Sequence, residues 1–215
     1  MIKIENTEVF GWDASIRGMR NPLESWHLSD SYWTHIEDAE TGQVAKFEFF
    51  LGENDLDLMQ RLAKSGNDHA KYLRMINVTC DITCSLYWWK EFDTYKVGTV
   101  ANSCSTMHKI HAKEFTLDDF SHEHLDGGGL KTIGAVIDFL NECRECYVEC
   151  RYDKTDWWQM IQLLPSSYNQ KRTVQLNYAV LWNMYQSRKN HKLDEWRTFC
   201  EWVETLPYFK EIFKI

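Results

Sequence analysis

Residues 76–89, INVTCDITCSLYWW, constrain the fold of this chain more than any other stretch. Apolar and polar side chains alternate from Val78 to Cys84, and β-branched residues are frequent. That pattern predicts a strand with one buried face. Two adjacent tryptophans follow, and then KEFDTYKVGTVANSCS turns polar, with a glycine and a cysteine. A strand that runs through a tryptophan pair into polar residues reads as scaffold delivering functional groups to a ligand.

Around it the periodicity changes to that of helices. NDLDLMQRLAKSG is expected to be a helix with Asn54 as a possible cap and Gly66 past its end, and HAKYLRMI a second, short one. A strand is expected at VAKFEFFLG. KEFDTYK to TMHKI reads as helix, loop, helix. DGGGLKTIGAVIDFLNECRECYVEC is a long helix opened by glycines. TDWWQMIQLL is a helix capped by Thr155 or Asp156 and stopped at Pro165. KRTVQLNYAVLWNMYQSRKN and LDEWRTFCEWVETLP supply two amphipathic helices. Few strands among many helices predict an α+β fold. With 215 residues, 3 prolines, no repeat and no linker-like segment, a single domain over 1–215 is expected.

Composition narrows the function. A net charge of −8 argues against a polymeric nucleic-acid partner, whose phosphates demand clustered Lys and Arg. A small anion held by a few placed cations fits. No apolar run reaches the ~18 residues of a membrane helix. MIKIENTEVFGWD lacks the apolar core of a signal peptide. Seven cysteines, an odd number partly inside apolar patterns, are expected to be reduced thiols in a cytoplasm.

Cys143, Cys146 and Cys150 share a helical face, but no second pair stands at zinc-finger spacing. They are expected to be packing thiols without metal. His108, His111, His122 and His124 fall outside any metal motif and read as solvated side chains. The glycines 127–129 lack the Lys and Ser or Thr of a phosphate loop and read as a flexible loop before the helix. The helix expected over 173–189 is more informative. Asn177, Val180, Leu181, Met184 and Arg188 fall on one stripe. An amide and a guanidinium on an apolar stripe need partners, unless Arg188 simply snorkels at the helix end.

Three segments together resemble the flavin-dependent thymidylate synthases, the ThyX family. INVTCDITCSLYWWKEFDTYKVGT is similar to the family's strand, aromatic helix and R-H-R-x-x-S signature. GNDHAKYLRMI resembles the segment just upstream, with His69 at the family's flavin-contacting histidine. LPSSYNQKRTVQLNYAVLWNMYQSR resembles its Leu-Pro loop and following helix, with Asn177, Asn183 and Arg188 at the family's Asn, Asn and Arg. The similarity runs from about residue 44 to residue 205.

The resemblance implies FAD as cofactor, dUMP or a related pyrimidine nucleotide as substrate, and NADPH and methylenetetrahydrofolate as co-substrates. It also implies a homotetramer whose sites are built by several subunits. Arg188 would polarise the uracil, and His69, Asn177 and Asn183 would hold flavin. Lys96 would meet a phosphate, and Thr99 with Ser103 or Ser105 would face the substrate. Ser103, Cys104 and Ser105 remain alternatives for the family serine. The chain also departs from the family: Thr94, Tyr95 and Lys96 stand in the R-H-R positions, Ile161 replaces an arginine, and Arg74 stands at a family Glu. The rival expectations are a different nucleotide-modifying activity on the same scaffold, and a non-catalytic or repurposed descendant that binds a nucleotide, a flavin or a protein.

Overall fold

The computed structural model of the chain describes residues 1–37, 41, 44–150 and 152–215, with backbone only at 45 and 46. Strand β1 is Lys3–Phe10, β2 Tyr32–Glu37, β3 Val44–Phe50, β4 Asn77–Ser85, β5 Val100–Ser103 and β6 Asn169–Asn177. The helices are α1 Trp12–Arg20, α2 Glu53–Lys64, α3 Leu86–Phe92, α4 Thr106–Lys109, α5 Gly127–Glu149, α6 Lys154–Leu163, α7 Tyr178–Arg188, α8 Asp194–Glu204 and α9 Phe209–Phe213. Four strands form one sheet in the order β1-β4-β6-β5, and β2 pairs with β3 in a separate hairpin. Every pairing is antiparallel. The α+β expectation holds.

Strand β4 is where the alternation placed it. Val78, Cys80, Ile82 and Cys84 are buried, while Asn77, Thr79, Asp81 and Thr83 face partly outward. An antiparallel sheet with helices on one side keeps its other side wet. On that wet side Asp81 gathers three strands. It accepts from Thr173 on β6 at 2.6 Å, from Asn6 on β1 at 2.9 Å and from Lys171 at 3.0 Å. Asn6 sits with φ 53° at the bulge that breaks the β1–β4 register.

The helix expected over 173–189 is corrected. Residues 169–177 are strand β6, and the helix starts at Tyr178. Gln170, Val174 and Leu176 point inward, while Thr173 and Gln175 point out, so the period is two. The polar residues tolerate this because cross-strand partners receive them, as Gln175 donates to Asn77 at 3.2 Å. Three smaller corrections follow from capping. Asp153, rather than Thr155 or Asp156, caps α6 by accepting from the Thr155 amide at 2.8 Å. Gly52 precedes α2 instead of Asn54, and the Asp30 side chain reaches across to accept from the Asn54 and Asp55 amides. Segment 70–74 is a 3-10 turn, and strand β5 stands inside the stretch read as helix, loop, helix.

The main core lies between the sheet and helices α1, α2, α3, α7, α8 and α9. The tryptophan pair belongs to it. Trp88 and Trp89 are fully enclosed, and Trp88 packs on Trp196 with ring centroids 4.8 Å apart. The Trp89 indole N–H donates to the Gln170 carbonyl at 2.9 Å, which ties α3 to β6. A second apolar cluster joins α5 and α6 through Ile133, Ile137, Leu140, Cys143 and Met160. Cys143 is buried there, while Cys146 and Cys150 are exposed. Among the described residues no helix is long and apolar enough to cross a membrane, and no His, Cys, Asp and Glu cluster is placed to hold a metal ion.

Candidate functional site

Strand β6 ends in a cleft at each end. At its C-terminal end, where β6 passes into α7, lies a cleft of about 530 Å³. Asn177 is the hinge. It caps α7, its side-chain oxygen accepting from the Val180 amide at 3.0 Å. Its amide nitrogen donates to the Gly98 carbonyl at 3.4 Å. Gly98 has φ +80°, and a Cβ there would come within 2.8 Å of that nitrogen. The 97–98 turn therefore requires glycine on two counts, backbone conformation and the space Asn177 occupies.

Asn183 lines the same cleft one and a half turns along α7, with Trp182 and Gln186 beside it. Asn67, Leu73 and Arg74 line it as well. No aspartate or glutamate lines the cleft, although the chain has 32 of them against 24 Lys and Arg. An open, part-apolar cleft edged by amides suits a planar heteroaromatic group, whose carbonyls and ring nitrogens match amide donors and acceptors.

At the other end of β6 is a cleft of about 420 Å³, with Cys104, Ser105, Lys109, Lys113, Asn169, Gln170 and Lys171 in its wall. Ser105 is the N-cap of α4. Its hydroxyl lies 2.8 Å from His108 Nδ1 and accepts from the His108 amide at 3.1 Å. Lys171 and Lys113 are paired with Asp81 and Asp119. Cys104 is exposed.

The residues singled out from sequence are thus divided. Asn177 and Asn183 come together. His69 is exposed at the start of the 70–74 turn and Lys96 is exposed beside Val97; both flank the amide cleft without lining it. Thr99 donates its hydroxyl to the Tyr95 carbonyl at 2.5 Å and closes its own loop. Ser103 lies on the edge strand opposite Arg172, and Ser105 lines the other cleft.

Arg188 is directed inward. Its Nε donates to the Tyr95 hydroxyl at 2.9 Å and its Nη1 to Glu91 Oε2 at 2.6 Å. Its guanidinium lies 4.9 Å from the Trp196 ring centroid. Glu91 also accepts from the Trp196 indole at 3.1 Å, with His191 Nε2 3.4 Å away. Nη2 has no partner among the described residues. Arg172 is held in a similar way, 4.2 Å over the Trp89 ring and paired with Asp93 at 2.8 Å. Helix α3, which carries the tryptophans, thus ends in two carboxylates, Glu91 and Asp93, that bind arginines from α7 and β6. Sequence reasoning did not single these out, since their partners lie 97 and 79 residues away. It also passed over Asn67, Gly98 and Gln186; of these, only the glycine of KVGT carried a local signal.

No family model and no curated protein matches the chain. Solved structures do. A structure of thymidylate synthase X (ThyX) from Helicobacter pylori with FAD and dUMP aligns with a TM-score of 0.66 at 16% identity, covering 99% of this chain and 97% of that one. A second structure, flavin-dependent thymidylate synthase ThyX from Helicobacter pylori complexed with FAD and dUMP, aligns with a TM-score of 0.66 at 17% identity, covering 98% and 97%. Over nearly its whole length, the chain has a ThyX-like fold.

Proposed function

We propose that the chain is a flavin-dependent enzyme of the thymidylate-synthase type, acting on C5 of dUMP or a related pyrimidine nucleotide. The observation that carries this reading is the acid-free cleft edged by Asn67, Asn177, Asn183 and Gln186 within a ThyX-like fold. The amides fit a flavin ring, and one arginine in the wall fits the anionic part of FAD. When bound, FAD would supply the two-electron chemistry, drawing on NADPH, that reduces a one-carbon unit from methylenetetrahydrofolate.

The chain's own residues bind and position. Asn177 is held by the α7 cap and by Gly98, so its orientation is set before any ligand arrives. Arg188 is held by Glu91 and Tyr95, and its unpartnered Nη2 can donate to a uracil carbonyl without the guanidinium leaving its seat. His69 and Lys96 border the flavin cleft, where Lys96 would meet a phosphate. Thr99 closes the 95–99 loop that carries Lys96. Ser103 and Ser105 belong with the pyrimidine.

Five residues of strand, 172–176, separate Lys171 of one cleft from Asn177 of the other, about 20 Å over the six steps at ~3.3 Å per residue. A pyrimidine ring cannot touch both within one chain. The reading therefore includes a homotetramer in which neighbouring copies bring the Ser105 cleft to the amide cleft. The exposed aromatic hairpin (Tyr32, Trp33, Phe47 and Phe50) offers contact surface. Seven cysteines with no disulfide between them suit a reducing cytoplasm.

A second reading rests on the Arg188–Glu91 pair and on Thr94, Lys96 and Ile161 standing where the family has arginines. In it, the same fold binds a nucleotide, a flavin or a protein without turnover. Purified protein that is yellow, or becomes so with FAD, and that methylates dUMP with NADPH and methylenetetrahydrofolate supports the enzyme. Flavin binding without turnover supports the second reading, and colourless protein that takes up no flavin overturns the flavin assignment.

A further inference from the structure

Arg74 ends the 3-10 turn Ala70–Arg74, and its side chain lines the amide cleft. It makes no hydrogen bond or ion pair with any described residue. That sets it apart from Arg20, Arg61, Arg172, Arg188 and Arg197, each of which is paired with a carboxylate. Paired arginines are neutralised from inside. Arg74 keeps all five donors and its full charge. Arg17 is also unpaired, but a carboxylate, Asp13, lines the same cleft. In the amide cleft no carboxylate competes with a ligand.

An exposed arginine on a convex surface is solvated and needs no ligand. Arg74 instead lines a concave cleft that Asn67, Asn183 and Gln186 also line. Amide N–H groups and a planar cationic fork together suit one class of ligand group: a phosphate or pyrophosphate attached to a ring the amides can hold. A carboxylate would satisfy the fork but leave the surrounding amide donors unused.

We infer that Arg74 anchors the phosphate or pyrophosphate of the nucleotide in this cleft, the role left open by Thr94, Lys96 and Ile161 on the remaining elements. This rests on the assignment of the cleft to a flavin nucleotide. The guanidinium provides the bidentate contact that Lys96 cannot give from its flexible stem. The main phosphate contact here therefore comes from the turn before β4, with Lys96 on the loop after α3 adding only its charge.

The test compares FAD, riboflavin and ADP binding to the parent, Arg74→Lys and Arg74→Ala by calorimetry at two ionic strengths. Arg74 is exposed, so both variants should fold; thermal unfolding checks this. Loss of a charged bidentate contact should weaken FAD and ADP about ten- to hundredfold in Arg74→Ala, with Arg74→Lys in between. Riboflavin, which has no phosphate, should bind all three proteins alike. Salt should weaken FAD binding to the parent more than to Arg74→Ala. Equal FAD affinity and salt response in parent and Arg74→Ala would overturn the inference while leaving the flavin reading intact. ADP binding that depends on Arg74, in a parent that binds no riboflavin or FAD, would support the anchor and overturn the flavin reading. A parent that binds none of the three ligands overturns both.

Discussion

Arg188 Nη1 lies 2.6 Å from Glu91 Oε2, joining the last turn of α7 to α3 across the main core. The pair is mostly enclosed, with side-chain exposures of 19% and 33%, and both partners contact Trp196. Arg188→Ala should lower stability by about 1–3 kcal/mol, because Glu91 keeps only the Trp196 indole and His191 as partners. Arg188→Lys should recover only part of this, since an ammonium cannot bond Tyr95 and Glu91 with the same fork. Denaturant unfolding of the two variants checks this. Unchanged midpoints would show that the pair is idle. If Arg188 also meets the pyrimidine, both variants should lose turnover by about a hundred- to thousandfold.

Asn177 and Gly98 form the second testable relationship. Asn177→Ala removes the α7 cap and should cost about 1 kcal/mol, while Asn177→Ser should keep most of the capping. Gly98→Ala puts a Cβ into space held by the Asn177 amide at a left-handed φ, and should cost about 1–2 kcal/mol. Combining Gly98→Ala with Asn177→Ala should be less damaging than the sum, because the clash disappears. Strict additivity in a denaturation cycle would refute the contact.

Asp81 sets a pH dependence. Hydrogen bonds from Thr173, Asn6 and Lys171 hold its carboxyl down at about 2. A depressed carboxyl favours the folded state above its unfolded value and loses that contribution as pH falls from about 4 through about 2. The stability difference between parent and Asp81→Asn should therefore be constant near neutrality and shrink across that window. Acid unfolding curves that stay parallel down to pH 2 would contradict this.

The thiols should separate into two classes. Burial pushes Cys80 and Cys84 up to about 12 and Cys200 up to about 11, and it raises Cys143 as well. These four are buried, whereas Cys104, Cys146 and Cys150 are exposed. A thiol reagent at neutral pH should modify the three exposed residues quickly and the other four only on unfolding. Fast labelling of all seven would mean that the sheet and the α5–α6 cluster open readily.

The β2–β3 hairpin tests the assembly. Phe47 is 67% exposed and stands near Trp33 on the aromatic surface. Phe47→Glu should lower the mass seen by light scattering if the hairpin joins copies of the chain. A parent that is monomeric at micromolar concentration would sink the homotetramer reading.

What was legible from sequence were the elements whose own side chains settle the question. Val78, Cys80, Ile82 and Cys84 alternate strongly enough to fix β4 as a half-buried strand. The long apolar stripe of α5 and the Trp196, Phe199, Cys200, Val203 face of α8 fix those helices without outside help. Of the two cleft asparagines, Asn177 stood out on the stripe, whereas Asn183 came only with the family resemblance. Strand β6 was not legible. Gln170, Lys171, Arg172, Thr173 and Gln175 look like a solvated helix until β4 and Trp89 supply their partners, and those partners are more than 80 residues away. The direction of Arg188 was equally hidden. Its stripe placed it on the buried face, but whether it met a ligand, water or a carboxylate depended on Glu91 arriving from α3. Local periodicity records which face of an element is apolar. Which charge meets which is decided only when distant segments pack, because a charge's partner is set by proximity in space and leaves no pattern along the chain.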